Sequence, residues 1–227
     1  MISAQNLFKR FGDRQVLEGL SLDVPAGAVT LLVGANGAGK TTLLKMITGL
    51  CVPDQGTVSV AGNDVGRARL AALSSLSFLP QAPRFHARLT TQQVARFYGS
   101  LRGRTTDEIH VELRAWGLIE HLHLPTAKLS GGLRQRLALA VFALARAPVL
   151  VLDEPGLSLD PEWRVRLQTH LSAEAHRGVT VLVATHLLGE WEGKVDECIV
   201  LQSGKVSGAL PPDRLRESFA FTNRGSA

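Results

Sequence analysis

Cysteine is scarce in this chain of 227 residues: Cys51 and Cys198 stand alone. Neither belongs to a CxxC pair or to any spacing that holds a metal, which argues against a disulfide framework and leaves two reduced, buried thiols as the expectation. Long apolar runs are missing as well. The richest, Leu137 to Leu144, ends at Arg146 and Pro148, well short of the roughly 18 uncharged residues of a membrane helix. The opening Met1-Ile2-Ser3-Ala4-Gln5 has no charged-then-apolar signal pattern. These absences lead us to expect a soluble, cytoplasmic chain whose membrane role, if it has one, is supplied by another polypeptide. Blocks of like charge are absent too. Lysine and arginine number 25 against 20 acids, a net charge of +5, but they cluster only briefly, as at Lys9-Arg10 and Arg134/Arg136. A scattered excess reads as a solvated surface, so charge alone does not indicate nucleic acid. An anionic nucleotide or an acidic membrane face would also suit it. There is no internal repeat and no low-complexity tract.

What is present is a phosphate-binding loop. The β-branched and Leu-rich run Val29-Thr30-Leu31-Leu32-Val33 reads as a buried parallel strand. It stops at Gly34-Ala35-Asn36-Gly37-Ala38-Gly39-Lys40-Thr41-Thr42, and Thr42 to Ile47 then reads as a helix closed by Gly49. Glycines between strand and helix let successive backbone N–H groups point into one concavity, and the helix N-terminus adds partial positive charge. Lys40 can reach the β- and γ-phosphates of a nucleotide, and the Thr41 hydroxyl can complete a Mg²⁺ shell. A nucleoside triphosphate is the expected ligand.

The length suits one domain, possibly lobed. Ile2 to Phe8 and Val16 to Val24, separated by Gly12-Asp13, read as an antiparallel pair. Thr57 to Val60 and Ser77 to Leu79 read as further short strands. From Arg84 to Lys128 the texture turns helical, with one helix from Thr90-Thr91 through Arg102 and another from Thr105 to Gly117. Beyond it come a helix over Leu133 to Ala145, a strand over Val149 to Leu152 and a helix over Pro161 to Glu174. A strand over Val179 to Ala184 and a short helix near Leu187 to Trp191 follow. Glu197 to Leu201 and Val206 to Ala209 flank a hairpin turn, Pro211 to Glu217 reads as a last helix, and Phe219 to Ala227 lacks periodicity.

Val149-Leu150-Val151-Leu152-Asp153-Glu154 runs four apolar residues into two acids. Acids at the carboxyl end of a buried strand sit where ligands bind in open α/β sheets. Asp153 is placed to hold Mg²⁺ through water, and Glu154 to act as general base on an attacking water. His121-x-His123 has no further ligands nearby and reads as surface.

With Leu129-Ser130-Gly131-Gly132 added, the chain strongly resembles the nucleotide-binding domain of an ABC transporter, over nearly its whole length and with the motifs in family order. The resemblance implies an α/β fold of the P-loop NTPase type: a RecA-like parallel sheet core, an antiparallel β lobe and an inserted α-helical lobe. It gives a single ATP-binding domain, 1–227, with a β lobe and phosphate-loop core over 1–83. The helical lobe then covers 84–132, the core continues over 133–210, and a short helix and tail close the chain over 211–227. It implies two copies, or one copy and a homologous ATPase subunit, sandwiching two ATPs. Ser130, Gly131 and Gly132 of one chain then face the γ-phosphate held by the other. Phe11 matches the aromatic residue that stacks on adenine, and Gln81 the glutamine that senses Mg²⁺ and joins core to helical lobe. Ser158-Leu159-Asp160 matches the loop that communicates between subunits, and His186 the switch histidine beside the γ-phosphate. Leu133 stands where glutamine is commonest, and Gly156-Leu157-Ser158 replaces the usual Thr-Ser-Gly.

The implied task is ATP hydrolysis that drives a separate integral membrane permease from the cytoplasmic face of the membrane, with no nucleic acid. The stretch Arg84-Phe85-His86-Ala87-Arg88 is the expected seat for a permease helix. The details resemble ATPases of the ABC-2 exporter type, and Phe78 to Leu101 is also similar to the ATPase that serves nitrous oxide reductase copper-site maturation. Two other readings stay open on the residues: a non-transport ABC ATPase acting on ribosomes or DNA, and a regulatory ATP-binding module with little turnover.

Overall fold

The computed structural model describes residues 1–215. In chain order its strands are β1 (Ile2–Phe11), β2 (Arg14–Val24), β3 (Val29–Val33), β4 (Gln55–Val60), β5 (Asn63–Asp64), β6 (Leu76–Leu79), β7 (Val149–Asp153), β8 (Thr180–Ala184), β9 (Glu197–Gln202) and β10 (Lys205–Ala209). The helices are α1 (Lys40–Ile47), α2 (Arg69–Ser74), α3 (Thr91–Leu101), α4 (Thr106–Ala115), α5 (Gly131–Leu144), α6 (Pro161–His176) and α7 (Leu188–Trp191). The end of the helix expected over Pro211 to Glu217, and the tail from Phe219, lie outside the described residues.

The chain divides into two compact units, the first made of Met1–Leu76, Ala147–Glu154 and the chain from Arg166 onward. Its β3, β7 and β8 are buried at every position, which is why their sequences are unbroken apolar runs rather than alternating ones. They pair in parallel as β9-β3-β8-β7, with Val29 opposite Val181 and Asp153 opposite Ala184. The antiparallel strand β10 closes one edge beside β9. Parallel pairing brings the carboxyl ends of β3, β7 and β8 to one side, where the phosphate loop and the two acids emerge. A second sheet, β2-β1-β4-β5, is antiparallel. The hairpin β1–β2 is longer than the pattern implied, because both strands run to the turn, with Phe11 paired to Arg14.

The second unit, Ser77–Arg146 and Pro155–Val165, is mainly helical. Thr90 and Thr105 each form a reciprocal capping box, with Gln93 and Glu108 respectively, so both helices begin where the Thr signals placed them. Val94, Ala95, Ile109, Leu113 and Leu137 form its apolar interior. At Gly99 of α3 a Cβ would lie 2.6 Å from the Ile109 side chain, so the glycine lets α3 and α4 approach closely.

Four differences from the sequence reading have physical causes. Helix α1 begins at Lys40 rather than Thr42, since Lys40 and Thr41 form its first turn after the left-handed Gly39. The expected helical lobe, 84–132, ended too early: α5 lies within the second unit together with Pro155–Val165, an association made by tertiary packing and invisible to periodicity. Helix α2, only six residues long with a single buried side chain, has too little apolar periodicity to be recognised. Cys198 is buried but Cys51 is only half-buried, because it sits in the loop after α1 rather than in a strand.

Candidate functional site

The loop after β3 is shaped by close approaches that only glycine allows. At Gly34 a Cβ would fall 2.3 Å from the Leu201 carbonyl oxygen of β9. Gly39, with φ of 108°, sits 2.7 Å in the same sense from the Leu17 side chain of β2. The turn between β9 and β10 seals the arrangement, with the Gly204 amide donating to Ala38 O at 3.1 Å. A strand from each sheet therefore buttresses the phosphate loop. A hollow of about 240 Å³ lies over it, lined by Asn36, Gly37, Gly39, Lys40, Thr41 and Thr42 together with Arg14 and Val16 from β2.

Lys40 is 7% exposed. Its ammonium donates to Gly34 O at 2.7 Å and Ala35 O at 3.3 Å, so it is held inside the ring of backbone that it would share with a phosphate. Burial lowers its pKa, opposed by the charges of Glu154 and Asp153. The Thr41 hydroxyl donates to Asp153 Oδ2 at 3.1 Å. Burial raises the Asp153 pKa, and the Thr41 hydrogen bond works against that rise. A hydroxyl and a carboxylate oxygen in contact make the all-oxygen donor pair that suits Mg²⁺ beside phosphates, so these two residues fit the ion.

Glu154 follows β7 in a left-handed backbone conformation, φ 49°, with its amide bonded to Ala184 O at 2.8 Å. A non-glycine residue in that region is uncommon, and the observed strain is of the kind functional sites carry. Its carboxylate is buried yet fully partnered: Thr185 Oγ1 donates at 3.0 Å, the His186 amide approaches at 3.4 Å, and His186 Nδ1 lies 2.8 Å away. With the carboxylate ionised, that ring nitrogen carries the proton. Thr185 in turn accepts from the Leu187 amide at 3.0 Å, so one buried hydroxyl ties the acid to the turn that carries His186. His186 itself is about half exposed at its side chain, 48%.

The structure thus brings together Lys40, Thr41, Asp153, Glu154 and His186. Phe11 stands at the tip of the β1–β2 hairpin, 52% exposed, with the Lys9 ammonium 5.3 Å from its ring centre; it does not line the hollow. Sequence reasoning missed Thr185 and Arg14. Thr185 had no signal beyond its place before His186, and Arg14 none beyond its place after the hairpin turn.

The remaining candidates belong to the second unit. Ser130 caps α5 by accepting from the Leu133 amide at 3.2 Å, leaving the amides of Gly131 and Gly132 at the exposed helix start. Gly132 faces Ser158: a Cβ there would be 3.2 Å from Ser158 O. The altered loop Gly156-Leu157-Ser158 and the Leu129–Gly132 motif are therefore neighbours. Gln135 fixes them by donating to Pro155 O at 2.9 Å. Asp160 accepts from the Trp163 amide at 3.4 Å, and Arg136 stacks over the Trp163 ring at 4.3 Å. Gln81 is exposed in the bend after β6. A groove of about 270 Å³ lies between Phe78–Pro80, Arg84, Phe85, Tyr98 and Arg102, with Phe85 and Tyr98 in edge contact at 6.2 Å.

Comparison with known proteins gives a consistent picture. Residues 17–156 match the model of the ABC transporter family. The chain is 36% identical to the Nod factor export ATP-binding protein I of Burkholderia lata over 223 residues, covering 96% of this chain and 73% of that protein. It is 35% identical to the probable multidrug ABC transporter ATP-binding protein YbhF of Escherichia coli, covering 97% of this chain but 39% of that longer protein. A solved ATP-binding subunit of an ABC transporter superposes with a TM-score of 0.87 at 27% identity, covering 97% of this chain and 93% of that one. A dimeric ATP-binding cassette with ADP and phosphate bound superposes at 0.83 with 22% identity, a likeness of fold over 93% of this chain and 99% of that one.

Proposed function

The chain belongs to the ABC transporter family as an ATP-binding, ATP-hydrolysing subunit, and from that premise we propose how its residues do the work. The observation that carries the reading is the buried Glu154 carboxylate, held by Thr185 and His186 at the carboxyl edge of the sheet, where Asp153 meets Thr41 of the first turn of α1 beside Lys40. Lys40 exchanges its bonds to Gly34 and Ala35 for the β- and γ-phosphates of ATP. Thr41 and Asp153 would hold Mg²⁺, which would supply positive charge to offset that of the phosphates. Glu154 accepts a proton from the water that attacks the γ-phosphorus, the bond to the bridging oxygen breaks, and ADP and phosphate leave. His186 fixes the direction of the carboxylate through Nδ1 and presents the rest of its exposed ring to the phosphate. Phe11 is the surface on which adenine stacks.

The other half of the site comes from a second copy, whose Ser130, Gly131 and Gly132 offer helix-start amides to the γ-phosphate. Gln81 and Asp160 carry the nucleotide state between core, helical unit and partner. ATP favours the closed pair because it gains those contacts only there, and hydrolysis removes the advantage. The output is movement of a membrane permease, docked in the aromatic and basic groove at Arg84, Phe85, Tyr98 and Arg102 on the cytoplasmic face. Relatives named for Nod factor export and multidrug transport support an exporter.

Glu154→Gln tests the reading. Gln keeps the shape but cannot take the proton, so ATP turnover should disappear while an ATP-dependent dimer accumulates in size-exclusion chromatography with Mg²⁺. Turnover at the wild-type rate would remove Glu154 from the base role.

A further inference from the structure

The phosphate hollow contains a second cation that belongs to none of the motifs above. Arg14 opens β2 at the tip of the β1–β2 hairpin, opposite Phe11 in the strand register, and lines the hollow with Gly37, Lys40, Thr41 and Thr42. Its Nη2 atom lies 3.1 Å from where a Cβ on Gly37 would be. The guanidinium therefore lies directly against the crown of the loop. Among the described residues it makes no hydrogen bond or ion pair. The adjacent acid, Asp13, lies 3.9 Å from Arg10 instead, so no carboxylate competes for the fork. An exposed, unpaired guanidinium beside loop amides and a buried lysine is suited to an oxyanion, and its planar donors match phosphate oxygens.

We propose that Arg14 is a nucleotide-binding residue that closes over the polyphosphate of ATP from the β1–β2 hairpin. The inference rests on the reading of the loop at Gly34–Thr42 as the ATP site. It makes the hairpin tip a two-point clamp, with Phe11 for the base and Arg14 for the phosphates.

The test is calorimetric titration of ATP into the full chain and into Arg14→Ala, Arg14→Lys and Lys40→Ala, with inorganic triphosphate as a base-free competitor. Arg14→Ala should raise the Kd for ATP about tenfold, the worth of a charge-assisted hydrogen bond discounted for partial solvation. Competition by inorganic triphosphate should weaken by a similar factor, and the affinity should fall less steeply with added salt than in the wild type. Arg14→Lys should recover part of the loss, since it keeps the charge without the fork. The Arg14 guanidinium makes no hydrogen bond or ion pair among the described residues, so the unliganded Arg14 variants should melt close to the wild-type temperature. Unchanged ATP affinity in Arg14→Ala, or an ATP loss with undiminished competition by inorganic triphosphate, overturns the assignment. If Lys40→Ala also binds ATP normally, the phosphate-loop reading itself has failed. A loss in Lys40→Ala with none in Arg14→Ala rejects Arg14 alone.

Discussion

Replacing Gly34 by alanine isolates what the backbone around the phosphate loop contributes. The added Cβ would sit 2.3 Å from Leu201 O and 3.2 Å from the Ala38 Cβ. The first gap is about 1 Å short of ordinary van der Waals contact. The obstructing atom is a backbone carbonyl, so no side-chain rotation relieves it. Leu201 is locked from both sides, paired to Val206 of β10, while its neighbour Val200 pairs with Val33 of β3. Either β9 retreats and loosens those ladders, or the loop shifts and loses the Gly204–Ala38 hydrogen bond. Overpacking of this kind costs about 1–3 kcal/mol, which lowers the melting temperature of a chain this size by roughly 2–12 °C. Thermal unfolding with and without ATP, alongside ATP titration, measures both consequences. Gly62→Ala is the contrasting control: Gly62 has a positive φ, 79°, which Gly34 lacks, and nothing lies within 4 Å of its added Cβ. It should lose about 1–2 kcal/mol from the left-handed conformation alone and bind ATP normally. If Gly34→Ala melts and binds like the wild type, the contact with β9 does not shape the loop.

Two further outcomes follow from named contacts. Thr185→Val keeps the shape of the side chain but removes the donor to Glu154 and the acceptor for Leu187; a buried hydrogen bond of this kind is worth about 1–3 kcal/mol. Steady-state kinetics should therefore show kcat reduced roughly ten- to hundredfold at nearly constant KM for ATP, with Thr185→Ser close to wild type. A change in KM alone would mean that Thr185 serves the fold and not the acid. For the thiols, burial pushes Cys198 up to about 12, whereas Cys51 is half-buried. Thiol titration at pH 8 should find one reactive cysteine in the native chain and two after denaturation, and two fast thiols in the native chain would contradict the burial of Cys198.

Much of the fold was legible because its determinants are local. Continuous apolar runs named β3, β7 and β8 as buried parallel strands, and the Thr90 and Thr105 caps marked where α3 and α4 begin. Helix α2 escaped because six residues with one buried position leave no period to detect. The extent of the helical unit escaped for another reason. The assignment of α5 to it depends on which neighbours its apolar face meets, and a sequence pattern records only that such a face exists.

The site divides along the same line. Spacing alone placed Lys40 and Thr41 in the loop just before a helix and Asp153 and Glu154 at the end of a strand, because loop, strand and helix geometry confine those side chains to within a few residues of a known point. Sequence also determined the family, since several short motifs in one order carry that information without coordinates. Only the tertiary structure decided that the Thr41 hydroxyl meets Asp153, that Thr185 and not just His186 holds Glu154, and that Arg14 lies over Gly37. Those contacts join residues from 23 to 112 positions apart in the chain. Their partners are selected by strand order and loop packing, and no local rule of the sequence encodes either.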